Sequence, residues 1–154
     1  NVRKYPDDAD THYNLGLAYA RLGKHKKAIK SFKQAIEINP DYATSHYNLG
    51  VAYDKSGMQK DAIESYKQAI RIDPDYVKPH NNLGKSYIIL GMYKEAVEAC
   101  KQAIRIDPDD VTPHYNLGGA YFLLNDRDSA LEQYKILKNL DTERAKKLFD
   151  FIYK

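Results

Sequence analysis

The sequence predicts an all-α chain of stacked antiparallel helix pairs, and three observations predict it. Tyr-Asn-Leu-Gly recurs at Tyr13–Gly16, Tyr47–Gly50 and Tyr115–Gly118, with Asn81-Asn82-Leu83-Gly84 between, always at a spacing of 34. Lys-Gln-Ala-Ile recurs in the same register at Lys33, Lys67 and Lys101, and decays to Lys135-Ile136-Leu137-Lys138. Asn39-Pro40-Asp41, Asp73-Pro74-Asp75 and Asp107-Pro108-Asp109 punctuate the units. A fixed period of this length is the mark of a repeat architecture. It divides the chain into repeats at 9–42, 43–76, 77–110 and 111–144.

Within a unit, Leu15, Ala18, Tyr19 and Leu22 fall at i, i+3, i+4 and i+7, an apolar stripe at helical period. Gly23 then ends the helix, because glycine takes the left-handed conformation of a C-terminus without steric cost, and Gly57, Gly91 and Asn125 match it. Ala28, Phe32, Ala35 and Ile36 repeat the stripe in a second helix, which Pro40 terminates. Thr44, Lys78 and Thr112 are expected just before the next first helix, with Pro79 and Pro113 in its opening turn. Neither helix buries its stripe alone, so neighbouring units must complete each core. Mid-helix Gly16, Gly50, Gly84 and Gly118 each cost about 1 kcal/mol against alanine. Their recurrence implies close helix contact, with Ala28, Ala62, Ala96 and Ala130 as the expected facing residues.

These residues resemble the tetratricopeptide repeat family over nearly the whole chain. Unit two displays the family pattern as Leu49, Gly50, Tyr53, Ala62, Tyr66, Ala69 and Pro74. Departures are His12, His46, His80 and His114 where the family often has Trp, Cys100 for an aromatic, and Thr142 for the last Pro. The resemblance implies a right-handed superhelical solenoid whose concave face is made chiefly by first helices. It also implies a protein- or peptide-binding scaffold.

Composition bounds the rest. The chain has 154 residues, 43% hydrophobic and 29% charged, enough to fill a core. No apolar run approaches the roughly 18 residues of a membrane helix, so a soluble chain is expected, with the cytoplasm as its compartment. One cysteine excludes an internal disulfide. A net charge of +3 does not argue for nucleic acid. Residues 1–42 hold 8 basic and 5 acidic residues, hence all of that excess, gathered as Lys24, Lys26, Lys27, Lys30 and Lys33. A solvated face is the first reading of that cluster, and an RNA or acidic protein patch the second.

No catalytic set is evident, so no enzyme is expected on this segment, and no cofactor or metal. Equivalent positions on packed helices lie about 8–10 Å apart, too far for the four histidines to share a zinc held at about 2.0–2.1 Å. They are expected to pack between helices. Cys100 is expected to be a buried, inert thiol.

The asparagines carry the functional expectation. Asn14, Asn48, Asn82 and Asn116 stand two residues before the packing glycine, a position the resemblance assigns to the concave surface. An amide offers donor and acceptor together, matching a peptide unit. Rungs about 10 Å apart would hold about nine or ten residues of extended chain at roughly 3.3 Å each. Similar asparagine ladders occur in the repeat region of O-linked N-acetylglucosamine transferases; the alternative is local bonding between units. Tyr13, Tyr47 and Tyr115 flank the ladder. Ile88, Ile89, Phe122 and Leu123 would meet apolar ligand side chains, and Lys78 or Lys85 a ligand carboxylate. Tyr13 and Leu17 stand where a chaperone-type carboxylate clamp has Lys and Asn, which disfavours a co-chaperone. Two alternatives remain: the substrate-selecting arm of a larger enzyme such as a glycosyltransferase, or a scaffold that self-associates end to end.

The ends are distinctive. Residues 1–8 place Pro6 in phase with Pro40, as the remnant of a preceding second helix would, and Asn1 in place of Met suggests a piece of a longer array. At the other end, Asp141 or Thr142 precedes a final helix with Ala145, Leu148, Phe149 and Ile152 on one face. Residues 145–154 are expected to cap the array, a membrane-surface helix being the rival reading.

Overall fold

The protein is described by a computed structural model covering residues 8–154. Among the described residues there are nine helices and no strands: α1 (Ala9–Arg21), α2 (His25–Ile38), α3 (Ala43–Lys55), α4 (Gln59–Ile72), α5 (Val77–Ile89), α6 (Tyr93–Ile106), α7 (Val111–Leu123), α8 (Arg127–Leu140) and α9 (Thr142–Tyr153). They belong to two compact units, one ending at Pro79 and one running from His80 to Lys154. The expectation for residues 1–8 lies outside the described residues, apart from Asp8, whose carboxylate caps α1 by accepting from the Asp10 N–H at 3.1 Å.

The turn inside each pair is the same device four times over. Gly23, Gly57, Gly91 and Asn125 have φ of 68°, 75°, 74° and 61°. The following residue's N–H reaches back to the helix carbonyl, Lys24 to Tyr19 at 2.9 Å, Met58 to Tyr53 at 2.9 Å, Met92 to Tyr87 at 2.8 Å and Asp126 to Tyr121 at 2.9 Å. This is the Schellman closure, which satisfies carbonyls that a helix end would leave orphaned. Helix starts lie earlier than expected: Thr44, Lys78 and Thr112 are second residues of α3, α5 and α7. For α7 the reason is Asp110, whose carboxylate accepts from the Thr112 N–H at 2.9 Å and so caps the helix upstream of the threonine.

In the first unit, α1 pairs with α2, α3 pairs with α4, and α2 packs on α3. The close approach at the glycines is present, but its partner differs from the expected alanine. A Cβ at Gly16 would lie 2.5 Å from Phe32 Cε1, and one at Gly50 would lie 2.5 Å from Tyr66 Cε1. Ala28 and Ala62 are fully buried without being the facing group. A helical side chain leans over the turn N-terminal to its own Cα, so the ring four residues on covers the level of the alanine. In the second unit Gly84 faces the Cys100 Sγ in the same way, with 2.7 Å to a virtual Cβ.

The last pair solves the problem differently. Leu148 of α9, rather than Tyr134, enters the Gly118 notch, its Cδ2 2.5 Å from a virtual Cβ. Asp141 joins α8 to α9 by itself, accepting from the Arg144 N–H at 3.0 Å. Ala145, Leu148 and Ile152 are buried with Ala130 and Leu137, flanked by Val111, Tyr115 and Tyr121. The apolar face of α9 is therefore laid against α7 and α8. Phe149, expected on that face, is instead 39% exposed, its ring between Tyr134 at 5.2 Å and Tyr153 at 4.4 Å.

Candidate interaction site

The conspicuous tyrosines of the first unit are wedged rather than free. The Tyr13 ring sits 6.0 Å from Phe32 and 5.0 Å from Tyr42, and Tyr47 sits 6.0 Å from Tyr66 and 5.2 Å from Tyr76. Tyr42 and Tyr76 thus clamp a first-helix tyrosine from the loop that begins the next pair. Tyr42 also donates its hydroxyl to the Asp10 carboxylate at 2.8 Å. Burial pushes the Tyr76 phenol up to about 12, aided by the Tyr47 phenol. The Tyr42 phenol is likewise pushed up to about 12 by burial and by Asp10.

Asn48 has one side-chain nitrogen and uses it inside the unit. It donates to the Tyr13 hydroxyl at 3.1 Å and to the Thr44 carbonyl at 2.9 Å. Asn14 is exposed at the unit's outer edge.

In the second unit the same two positions carry different chemistry. Asn81, at the Tyr13 and Tyr47 position, donates to the carboxylate of Asp110, at the Tyr42 and Tyr76 position, over 2.6 Å. Both members of the pair have changed together, from stacked rings to a hydrogen bond to a charged group. Arg144 follows at the next such position and donates to the Thr112 hydroxyl at 3.2 Å. The loop residues Tyr42, Tyr76 and Asp110 were not among the expected site residues; their parallel exchange with Tyr13, Tyr47 and Asn81 was the signal in the sequence.

A cleft of about 190 Å³ opens in the second unit, lined by Ile88, Tyr115, Asn116, Gly119, Leu123, Leu148 and Phe151. It brings together Tyr115, Asn116 and Leu123 from the expected site, and Ile88 beside them. Leu148 and Phe151 come from α9 and were not expected there. Phe122 lies edge-on to Phe151 at 5.1 Å, so its ring is partnered by α9. Ile89 is 53% exposed, Lys78 and Lys85 are exposed, and Asn82 is half-buried; none of the four lines the cleft.

Two of the four in-phase histidines hold loops. His46 Nε2 pairs with the Pro40 carbonyl at 2.8 Å, and His114 Nε2 with the Pro108 carbonyl at 2.9 Å. His114 Nδ1 also meets the Gln133 side-chain oxygen at 2.8 Å. The imidazole therefore ties the start of a first helix to the proline loop before it, a polar role added to packing. Cys100 is fully buried, and burial pushes its thiol up to about 12. Among the described residues no group of three or more His, Cys, Asp or Glu is placed to hold a metal ion. Nor is any helix there long and apolar enough to cross a membrane.

Helix pairs closed by a repeated glycine turn and a glycine notch define a class, and sequence profiles of that class match the chain. Profiles described as tetratricopeptide repeat or TPR repeat match residues 9–75, 65–98 and 84–125. The chain belongs to the tetratricopeptide repeat family, and its fold is the α-solenoid fold of that family. Among solved structures it is similar to one described as "Crystal structure of MamA", with a TM-score of 0.86 and 27% identity over 92% of this chain and 83% of that one. A second, "Crystal structure of MamA protein", aligns with a TM-score of 0.84 and 28% identity over 92% and 77%. A third, MamA 41-end from Desulfovibrio magneticus RS-1, shares the fold with a TM-score of 0.83 at 23% identity over 92% and 80%. No curated protein matches the chain by sequence. Family and fold together make this a protein–protein interaction scaffold.

Proposed function

We propose that the chain binds an extended segment of a partner protein, with the second-unit cleft taking an apolar ligand side chain and Asn116 holding the ligand backbone. The observation that carries this is the convergence of Ile88, Tyr115, Leu123 and Phe151 on one cleft with a carboxamide, Asn116, in its wall. Apolar walls with one well-placed polar group are the usual make-up of a recognition site. The amide can give a hydrogen to a ligand carbonyl and take one from a ligand N–H. Within the second unit Asn82 would add a further backbone contact, and within the first Asn14 and Asn48 offer the same group, Asn48 through its oxygen. Lys78 and Lys85, exposed on α5, would receive a ligand carboxylate.

A displayed library of linear peptides panned against the chain tests this. Enriched sequences should share an apolar residue, and Asn116→Ala should weaken them by about 0.5–1.5 kcal/mol, the worth of a typical hydrogen bond. Affinity unchanged in Asn116→Ala, or enrichment of no linear sequence, would remove the cleft from the binding site.

A further inference from the structure

Two glycines stand side by side in the middle of α7, and packing accounts for only one of them. Gly118 receives Leu148, whose Cδ2 would lie 2.5 Å from a Cβ there. At Gly119 a Cβ would meet nothing within 4 Å, and the backbone is ordinary helix without a positive φ. A glycine inside a helix is less stable than alanine by about 1 kcal/mol. No contact among the described residues calls for it at this position.

What the missing side chain does is open the second-unit cleft. Tyr115, Gly119 and Leu123 stand four residues apart, along one ridge of α7. The ridge is interrupted at Gly119, and the bare backbone there becomes part of the cleft wall, together with Ile88 of α5 and Phe151 of α9. At the same register α1 carries Leu17 and α3 carries Val51, both half-buried, and α5 carries Lys85. Among the four first helices, α7 alone leaves the position without a side chain.

Size and charge narrow the occupant. An apolar cavity of about 150 Å³ holds a benzene molecule, and this cleft has about 190 Å³. No charged side chain lines it, so a charged group entering would lose water without meeting a counter-charge. Tyr115 and Phe151 supply rings against which an incoming ring can pack edge to face. A flat ring also approaches a bare helix backbone closely, the use to which glycine is suited.

We propose that Gly119 sets the specificity of the cleft by admitting an uncharged aromatic side chain, Phe, Tyr or Trp, of the bound segment onto the backbone of α7. The inference rests on the reading of the cleft as the binding site for an extended segment. An aliphatic side chain would leave part of the space unfilled and forgo the ring contacts. A side chain at position 119 would close the ridge and exclude the ring.

The test pans one displayed library of linear peptides against the chain. The winning peptide is then made with its shared apolar residue as Phe, Leu or Ala, and each is titrated into the chain and its Gly119→Leu and Asn116→Ala variants. Leucine is a good helix former and stands at this register in α1, so Gly119→Leu should melt no lower than the parent chain; Gly119→Ala replaces it if it does. Enriched sequences should share Phe, Tyr or Trp. The Phe peptide should bind roughly fivefold tighter than the Leu peptide, the scale of an aromatic pair. Gly119→Leu should weaken the Phe peptide roughly tenfold more than the Ala peptide, the scale of overpacking, whereas Asn116→Ala should weaken the two alike. Enrichment of Leu, Ile or Val instead, or equal losses for the Phe and Ala peptides in Gly119→Leu, would overturn the role of Gly119 while leaving segment binding in place. Enrichment of no linear sequence would overturn segment binding and this inference with it.

Discussion

A single methyl group added at Gly50 would meet the Tyr66 ring at 2.5 Å, whereas one added at Gly119 would meet nothing within 4 Å. The two glycines sit in helices of the same kind and should answer alanine in opposite ways. Gly50→Ala should destabilise the first unit by about 1–3 kcal/mol, the usual cost of overpacking, seen as faster amide exchange in α3 and α4. Gly119→Ala should stabilise α7 by roughly 0.5–1 kcal/mol through backbone entropy. It should also weaken any ligand of the second-unit cleft, whose wall includes Gly119. The need for glycine was legible from its recurrence at a fixed register. The identity of the facing group was not, because periodicity marks which positions point inward but not how far a ring leans along its helix. Thus Phe32 and Tyr66, rather than Ala28 and Ala62, meet the glycines.

At the scale of elements, α9 is the informative helix. Its buried residues Ala145, Leu148 and Ile152 were readable as one face of a 3.6-residue period. That Leu148 would fill the Gly118 notch was not readable, since the register gives that task to Tyr134. Leu148→Ala should cost about 2–5 kcal/mol, as for other buried leucines, and should loosen α8 and α7 together in hydrogen exchange. Asp141→Ala removes the cap that accepts from the Arg144 N–H and should cost about 1 kcal/mol. An equal effect of the two substitutions would contradict the notch-filling role. Tyr115, Asn116 and Leu123, which line the cleft, had been grouped by the shared register of the first helices together with the concave position that the family resemblance implies. Phe151 was not, because it reaches the cleft from an element outside the repeat.

Across the whole molecule, both units carry groups held neutral by burial. Tyr42 and Tyr76 in the first unit rise from 10.0 to about 12, and Cys100 in the second rises from 9.0 to about 12. For each, the folded pKa exceeds the unfolded one, so its share of stability is complete below the unfolded value and is lost as pH climbs through the folded value. The first unit should therefore weaken from about pH 10 to 12, and the second from about pH 9. Hydrogen exchange at matched pH, comparing Tyr76→Phe and Cys100→Ala, should show the loss blunted in the unit that carries each substitution. The clamp pairs have a further consequence, for how such a chain could grow or shrink. Tyr13 with Tyr42, Tyr47 with Tyr76 and Asn81 with Asp110 are matched couples, whereas the histidine-to-proline-loop bond accepts any backbone carbonyl. A duplication or deletion whose breakpoint falls just before Ala43 or Val111 keeps every couple intact; it cuts the generic histidine link, which reforms with any neighbour, together with the Asn48–Tyr13 bond at the first point and the Asp110 cap of α7 at the second. A breakpoint inside a glycine turn that joins the first or second pair to the third would instead marry a tyrosine to an aspartate, so gene-level splicing of these modules has a phase in which it is tolerated and one in which it is not.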